Sequence, residues 1–188
     1  MNGSIASMLG LIYVASELGL TYKKRAKKGE TRAQDRGSLG LLWIAIALSV
    51  TLAFNFAHVF PAAGMGAGPA LTYIGAGVFA AGLLIRWYSI IHLGRFFTVN
   101  VAIATNHRLI DTGPYRFVRH PSYTGALMAF LGLALCLANW ASLVVMMAPV
   151  FLVFLRRMHV EEEALLQALG DQYRNYMNRT KRLIPAVY

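Results

Sequence analysis

LGLLWIAIALSVTLAFNFAHVF, residues 39–60, contains no Lys, Arg, Asp or Glu and is closed by Pro61. As a helix it is long enough to cross the ~30 Å hydrocarbon core of a bilayer, which takes about 20 apolar residues. Working outward, comparable runs occupy residues 4–22, interrupted only by Glu17, and residues 69–93. Two shorter runs, 122–138 and 141–155, are separated by the turn around Asn139 and Trp140 and read as a helical hairpin that barely reaches the far surface. The expected fold class is an all-α integral membrane protein with about five transmembrane helices, the N-terminus outside, and a cytosolic C-terminal amphipathic helix. Residues 1–188 read as one membrane domain, with a two-span N-terminal region at 1–68.

Composition agrees, with 57% hydrophobic and only 14% charged residues among 188, the profile of an integral membrane protein. The 18 Lys and Arg fall into three groups: seven between Lys23 and Arg36, five between Arg86 and Arg119, and six between Arg156 and Arg182. Five spans with the N-terminus outside put all three groups on one side, as the positive-inside rule requires. The turns at 61–68 and 138–141 are uncharged. The expected location is a bacterial or archaeal cytoplasmic membrane, with the polar segments facing the cytoplasm.

A net charge of +10 could suggest nucleic acid, but topology and anionic lipid headgroups account for it, and no nucleic-acid partner is expected. The run KKRAKKGETRAQDR reads as a topology signal in contact with membrane lipids. No basic leader or small-residue cleavage pattern opens the chain, so the first run reads as a retained span. Glu17 inside it is costly to bury and reads as a group near the cytosolic end that reaches water or pairs with Lys23 or Lys24. Cys136 is alone in an apolar span, and no metal site is expected. Gly75, Gly77 and Gly82 suggest close helix packing in the third span, inside one chain or against a second.

Chemistry concentrates in a polar island, NHRLIDTGPYRFVRHPSYTG from Asn106, and in Glu161-Glu162-Glu163 further on. Thr112-Gly113-Pro114 is a turn signal. Pro121 suits the first turn of the fourth span, where its missing N–H costs nothing, and His120 and Tyr123, three apart, share a face. Arg116 reads as an interfacial anchor. Arg119, His120 and Tyr123 together read as functional, because side chains of different donor and acceptor ability converge on one helix start. The three glutamates read as lying at or just after a break between the fifth span and an amphipathic helix carrying Leu165, Leu169, Tyr173 and Tyr176. Adjacent carboxylates repel, so at least one needs a cationic partner, and the hairpin can bring Arg119 to Glu161 or Glu162.

The order LGRFF at 93–97, HRL at 107–109, TGPY at 112–115, RHPSYTG at 119–125, EE at 161–162, GDQYxxY at 170–176 and RLIP at 182–185 resembles the isoprenylcysteine carboxyl methyltransferase family. The resemblance covers about half the chain, residues 86–185, which then form a cofactor-binding methyltransferase core. It implies S-adenosylmethionine as cofactor, S-adenosylhomocysteine as product, and a lipophilic or lipid-modified acceptor entering from the bilayer. It further implies that His107, Leu109, Gly113, Tyr115, His120 and Tyr123 line the cofactor pocket and that Glu162, or its neighbour Glu161, pairs with the cofactor's amino group. Arg119 becomes a candidate for binding a carboxylate of cofactor or acceptor, since its fork suits paired hydrogen bonds.

A carboxylate acceptor needs no general base. An amine or thiol acceptor does, and Glu161, His120 and Tyr123 are the candidates; similar membrane enzymes include phospholipid N-methyltransferases and small-thiol S-methyltransferases. The stretch between Phe96 and Thr105 is expected to shape the acceptor site. Readings of other classes are an NADPH-dependent membrane reductase, because sterol reductases carry a similar RHPxY, and a non-enzymatic ligand-binding module. The long eukaryotic members of the family carry extra N-terminal spans that help receive the prenyl group.

Overall fold

Glycine spacing decides how the central helices meet. In the computed structural model, which describes residues 2–23, 31–33, 37–97, 102–104 and 108–188, the chain forms α1 (Asn2–Lys23), a three-residue strand β1 (Thr31–Ala33), α2 (Ser38–Val59), α3 (Gly68–Leu93), β2 (Ala102–Ala104), α4 (Pro121–Cys136), α5 (Trp140–Leu169) and α6 (Asp171–Arg179). Gly75 and Gly82 of α3 face Gly125 and Gly132 of α4. A Cβ on Gly82 would sit 2.6 Å from the Gly125 carbonyl oxygen, and one on Gly132 would sit 2.4 Å from the Phe79 nitrogen. Backbones this close need glycine on both helices, the small-residue packing that holds membrane helices together. Gly77 meets nothing within 4 Å. The close packing anticipated for the third span is therefore made within the chain, by the two glycines that point at α4.

Helices α1, α2, α3 and α5 are long and apolar enough to cross a membrane. Helix α4 has 16 residues and extends only ~24 Å at 1.5 Å per residue, as expected for a helix that barely spans. The two uncharged turns meet at one end of the bundle. Met65 N donates to the Ala138 oxygen at 2.8 Å, and Asn139 donates to the Phe60 oxygen at 2.8 Å while its own Oδ1 caps α5 by accepting from Ser142 N at 3.0 Å. Helix α5 packs on α2, where Ser142 Oγ reaches the Ala53 oxygen at 2.7 Å. The apolar core between the helices is built around Phe130, whose ring centroid lies 4.7 Å from that of Tyr13 and 6.5 Å from that of Phe154. Cys136 is buried in it and donates to the Thr72 oxygen at 3.3 Å.

Two expectations are corrected. No break precedes the glutamates: α5 runs without interruption for 30 residues through Glu161, Glu162 and Glu163 and stops at Gly170, whose φ of 54° ends the helix. Glutamate is a good helix former, and the repulsion expected between the three carboxylates is relieved at Glu162, which two arginines, Arg119 and Arg182, neutralise. Glu161 lies roughly 32 Å along the helix axis from Trp140, so the acids project at the far membrane surface. Glu17 is buried rather than reaching water and pairs with Arg86 of α3; the side chains of Lys23 and Lys24 lie outside the described residues. A further element was not anticipated: β1 and β2 pair antiparallel, Thr31 opposite Ala104, tying the α1–α2 connection to the segment after α3.

Candidate active site

Pro121 begins α4, and the residues just before it run alongside the C-terminal tail. Arg119 N donates to the Lys181 oxygen at 2.7 Å and His120 N to the Arg182 oxygen at 3.0 Å, while Thr124 Oγ1 reaches the Leu183 oxygen at 2.9 Å. This backbone clasp brings the polar island, the end of α5 and the tail to one place.

Glu162 stands at its centre, 2% exposed. Its Oε1 accepts from Arg119 Nε at 2.9 Å and lies 3.1 Å from His120 Nε2; its Oε2 accepts from Arg182 Nη2 at 2.7 Å and Nε at 3.0 Å. The charged hydrogen bonds to Glu162 in turn hold the Arg182 guanidinium above its ordinary pKa. Arg119 spends its Nη1 on the Met177 and Thr180 carbonyls. A buried carboxylate so fully engaged organises its surroundings. Glu163 is exposed and pairs with His159 at 3.2 Å.

Glu161 differs from both neighbours. Its Oε2 is buried without a hydrogen-bond partner among the described residues, and His120 Nδ1 is 3.7 Å away, too far for one. It lines a cavity bounded by Leu109, Tyr115, Arg119, His120, Tyr123, Leu165, Leu169, Tyr173 and Tyr176. The ring of His120 tilts against that of Tyr123 at 5.6 Å. Tyr176 donates to the Tyr115 backbone oxygen at 2.7 Å, and Tyr115 to the Ser89 oxygen at 3.3 Å. Burial pushes the phenols of Tyr115 and Tyr173 well above the ordinary tyrosine value, and the carboxylates of Glu161 and Glu162 push Tyr173 the same way. Both stay neutral and wall the cavity, Tyr115 also as a donor.

Gly113 contributes through the backbone. Its φ of 57° opens the turn that presents Tyr115, and a Cβ there would strike the His92 ring at 2.6 Å. His92 Nε2 lies 3.0 Å from Thr112 Oγ1 and steadies the same turn. His107, expected in the cofactor pocket, lies outside the described residues, as do residues 98–101 of the stretch between Phe96 and Thr105.

The cavity continues toward the bundle interior, where it is lined by Glu17, Trp43, Ile46, Arg86, Ser122 and Arg157. Arg157, 4% exposed, donates from Nε to the Tyr123 hydroxyl at 3.0 Å. Arg86 grips Glu17 through Nε and Nη2 at 2.6 and 2.7 Å and reaches the Ser122 oxygen at 3.3 Å. Sequence reading counted Arg86 and Arg157 only among the positive charges that set the orientation and gave neither a role in the site. The signal was present in part, since Arg86 is the one Lys, Arg, Asp or Glu within residues 69–93.

This geometry defines a membrane helical bundle with one cavity running from a polar clasp into an apolar interior. Residues 71–172 match the model of the phospholipid methyltransferase family, and the chain belongs to that family. It is also similar to protein-S-isoprenylcysteine O-methyltransferase B of Arabidopsis thaliana, 34% identical over 108 residues, which cover 56% of this chain and 55% of that one. A probable protein-S-isoprenylcysteine O-methyltransferase of Oryza sativa subsp. indica is 30% identical over 119 residues, 62% of each chain. The solved structure of a eukaryotic intramembrane Ras methyltransferase, an isoprenylcysteine carboxyl methyltransferase, superposes with a TM-score of 0.64 at 29% identity, covering 77% of this chain and 52% of that one. The chain thus spans little more than half the length of these relatives. The motif resemblance is met by relatives of that name and by a structure of the same kind. Those relatives are eukaryotic and lend no support to the bacterial or archaeal membrane expected above.

Proposed function

We propose that this chain is an integral membrane methyltransferase that moves a methyl group from S-adenosylmethionine to the carboxylate of a lipophilic acceptor of the S-prenylcysteine type, at a site facing the cytoplasm. The observation that carries the reading is the distribution of charge within one cavity: a Glu161 oxygen with no hydrogen-bond partner among the described residues at the clasp end, and the guanidinium groups of Arg86, paired with Glu17, and Arg157 toward the membrane interior.

The cofactor fits the clasp end. Its amino group would satisfy Glu161, the acid with the unmet acceptor, while Glu162 holds Arg119, His120 and Arg182 in place. Leu109, Tyr115, His120 and Tyr123 would wall the pocket, with Gly113 setting the turn and His107 completing it. When bound, S-adenosylmethionine supplies a methyl group on a sulfonium, which the acceptor oxygen takes as the S–C electron pair returns to sulfur. No proton is released, so no side chain has to act as base.

The chain's own groups position and desolvate. Arg157, held by Tyr123, and Arg86 would orient an acceptor carboxylate by charge-assisted hydrogen bonds. Trp43, Ile46 and Phe154 would take apolar substituents and exclude water. Orientation of this kind is worth several kcal/mol of barrier. Glu161, one of the candidate bases for a proton-releasing acceptor, is better employed as the ammonium partner.

The test is calorimetric titration of the detergent-purified protein with S-adenosylmethionine, S-adenosylhomocysteine and NADPH. Binding of the first two and not the third supports the reading. Binding of NADPH alone favours a reductase, and binding of none by folded protein favours a non-enzymatic module. Methyl transfer to phosphatidylethanolamine in place of a prenylated acid would redirect the acceptor assignment to an amine.

A further inference from the structure

We propose that Glu17, brought to the cavity by α1, is a positioning residue that holds the acceptor's place on Arg86: it occupies the guanidinium while the cavity is empty, yields it to an acidic acceptor, and retakes it when the product has lost its charge. The inference rests on the carboxylate-acceptor reading above.

The geometry is that of a bound carboxylate. Arg86 offers its Nε/Nη2 edge and Glu17 fills it side-on, with Oε1 at 2.6 Å and Oε2 at 2.7 Å, the fork-to-carboxylate match that arginine uses in recognition. Nη1 is turned to the Ser122 carbonyl. Both partners are 8% exposed, and both line the cavity that holds Arg157 and Tyr123. The pair is therefore part of the cavity wall rather than a brace behind it. Trp87 Nε1 donates to Ser16 Oγ at 2.8 Å, fixing α1 at the depth where Glu17 meets Arg86. Helix α1 lies before the family-matched residues 71–172, so this carboxylate comes from outside the matched core.

Electrostatics sets the order of exchange. A buried guanidinium stripped of its partner is strongly unfavourable, whereas replacing one carboxylate by another keeps it paired. An acidic acceptor can therefore displace Glu17 without leaving Arg86 unpaired, while the displaced carboxylate, itself costly to leave unpaired, is driven back to Arg86. In the transfer the acceptor oxygen forms the new O–CH3 bond, the S–CH3 bond breaks toward sulfur, no proton moves, and the opposite charges of carboxylate and sulfonium cancel. The methyl ester is neutral and makes only an ordinary hydrogen bond to Arg86. Glu17, still charged, outcompetes it, and re-formation of the pair promotes ester release.

The experiment uses N-acetyl-S-farnesylcysteine and its methyl ester with the full chain in detergent, comparing wild type, Glu17→Gln and Glu17→Asp. S-adenosylhomocysteine binding is measured on each to report folding and the cofactor half of the site. The expected result for Glu17→Gln is unchanged S-adenosylhomocysteine affinity, acid bound about tenfold more tightly, the scale of a charge-assisted hydrogen bond, lower KM for the acid, and lower kcat with stronger inhibition by the ester. Glu17→Asp, which keeps the charge on a shorter arm, should shift the same quantities less, and it carries the test if Glu17→Gln does not fold. A purely structural role predicts that acid and ester affinities fall together with no KM-against-kcat split, and that result would overturn the inference alone. Failure of the wild type to methylate or bind the acid would overturn the carboxylate reading and the inference with it.

Discussion

Arg119 reaches Glu162 across 43 residues of sequence, Nε to Oε1 at 2.9 Å, and the two form the hub on which the tail, α4 and α5 converge. Their side chains are 9% and 3% exposed, so neither charge has water to fall back on.

Glu162→Ala should therefore cost stability before anything else. It leaves Arg119 and Arg182 facing each other without the shared carboxylate, and breaking a buried pair from one side typically costs about 3–5 kcal/mol. Thermal unfolding in detergent should show a large drop in melting temperature, with loss of S-adenosylhomocysteine binding following from loss of the clasp.

Glu161→Gln should behave in the opposite way. Its Oε2 has no hydrogen-bond partner among the described residues, so the melting temperature should stay near wild type. Affinity for S-adenosylhomocysteine should fall by roughly tenfold or more, the value of a charge-assisted bond to an ammonium. Calorimetry on the two variants side by side separates a carboxylate that holds the fold from one that faces the cavity.

Gly125→Ala tests the link between packing and site. Its Cβ would stand 2.5 Å from both the Arg86 nitrogen and the Gly82 oxygen, forcing α3 and α4 apart at the level of Arg86. A stability loss of about 1–3 kcal/mol is expected from such overpacking, together with loss of acceptor methylation. Gly77→Ala, which meets nothing within 4 Å, should leave both unchanged.

Much of this was readable in advance, for identifiable reasons. The spans follow from long apolar runs carrying at most one charge each, since every polar group in hydrocarbon must be satisfied internally. The candidate residues of the island stand out by their clustering between such runs, and Leu109, Tyr115, Arg119, His120 and Tyr123 do line one cavity. The continuity of α5 was missed because acidic residues suit the first turn of a helix, so three glutamates after an apolar run read as a new start. Glu17 and Arg86 were a missed opportunity. Glu17 precedes the end of α1 by six residues and Arg86 the end of α3 by seven, and in spans running the same way that puts opposite charges at one depth. The β1–β2 pairing left no usable trace, because three-residue strands carry too little pattern.

Alkaline pH should loosen the clasp. Burial raises the phenols of Tyr115, Tyr173 and Tyr176 above their unfolded value, so the folded state favours their neutral form. The stability this contributes is complete below the unfolded pKa of about 10 and is lost as pH rises toward the folded values. Melting temperatures measured from pH 8 to 11 should fall above pH about 10, and Tyr173→Phe should flatten that decline.

The most direct measurement follows the methyl group itself. Protein in detergent or liposomes is incubated with methyl-labelled S-adenosylmethionine and N-acetyl-S-farnesylcysteine, and the extracted lipophilic product is treated with base. The account predicts labelled product whose label is released as methanol, as an ester requires, and predicts its loss in Arg86→Gln and Arg157→Gln variants that still bind S-adenosylhomocysteine. Base-stable label, or no transfer by protein that binds the cofactor, would contradict it.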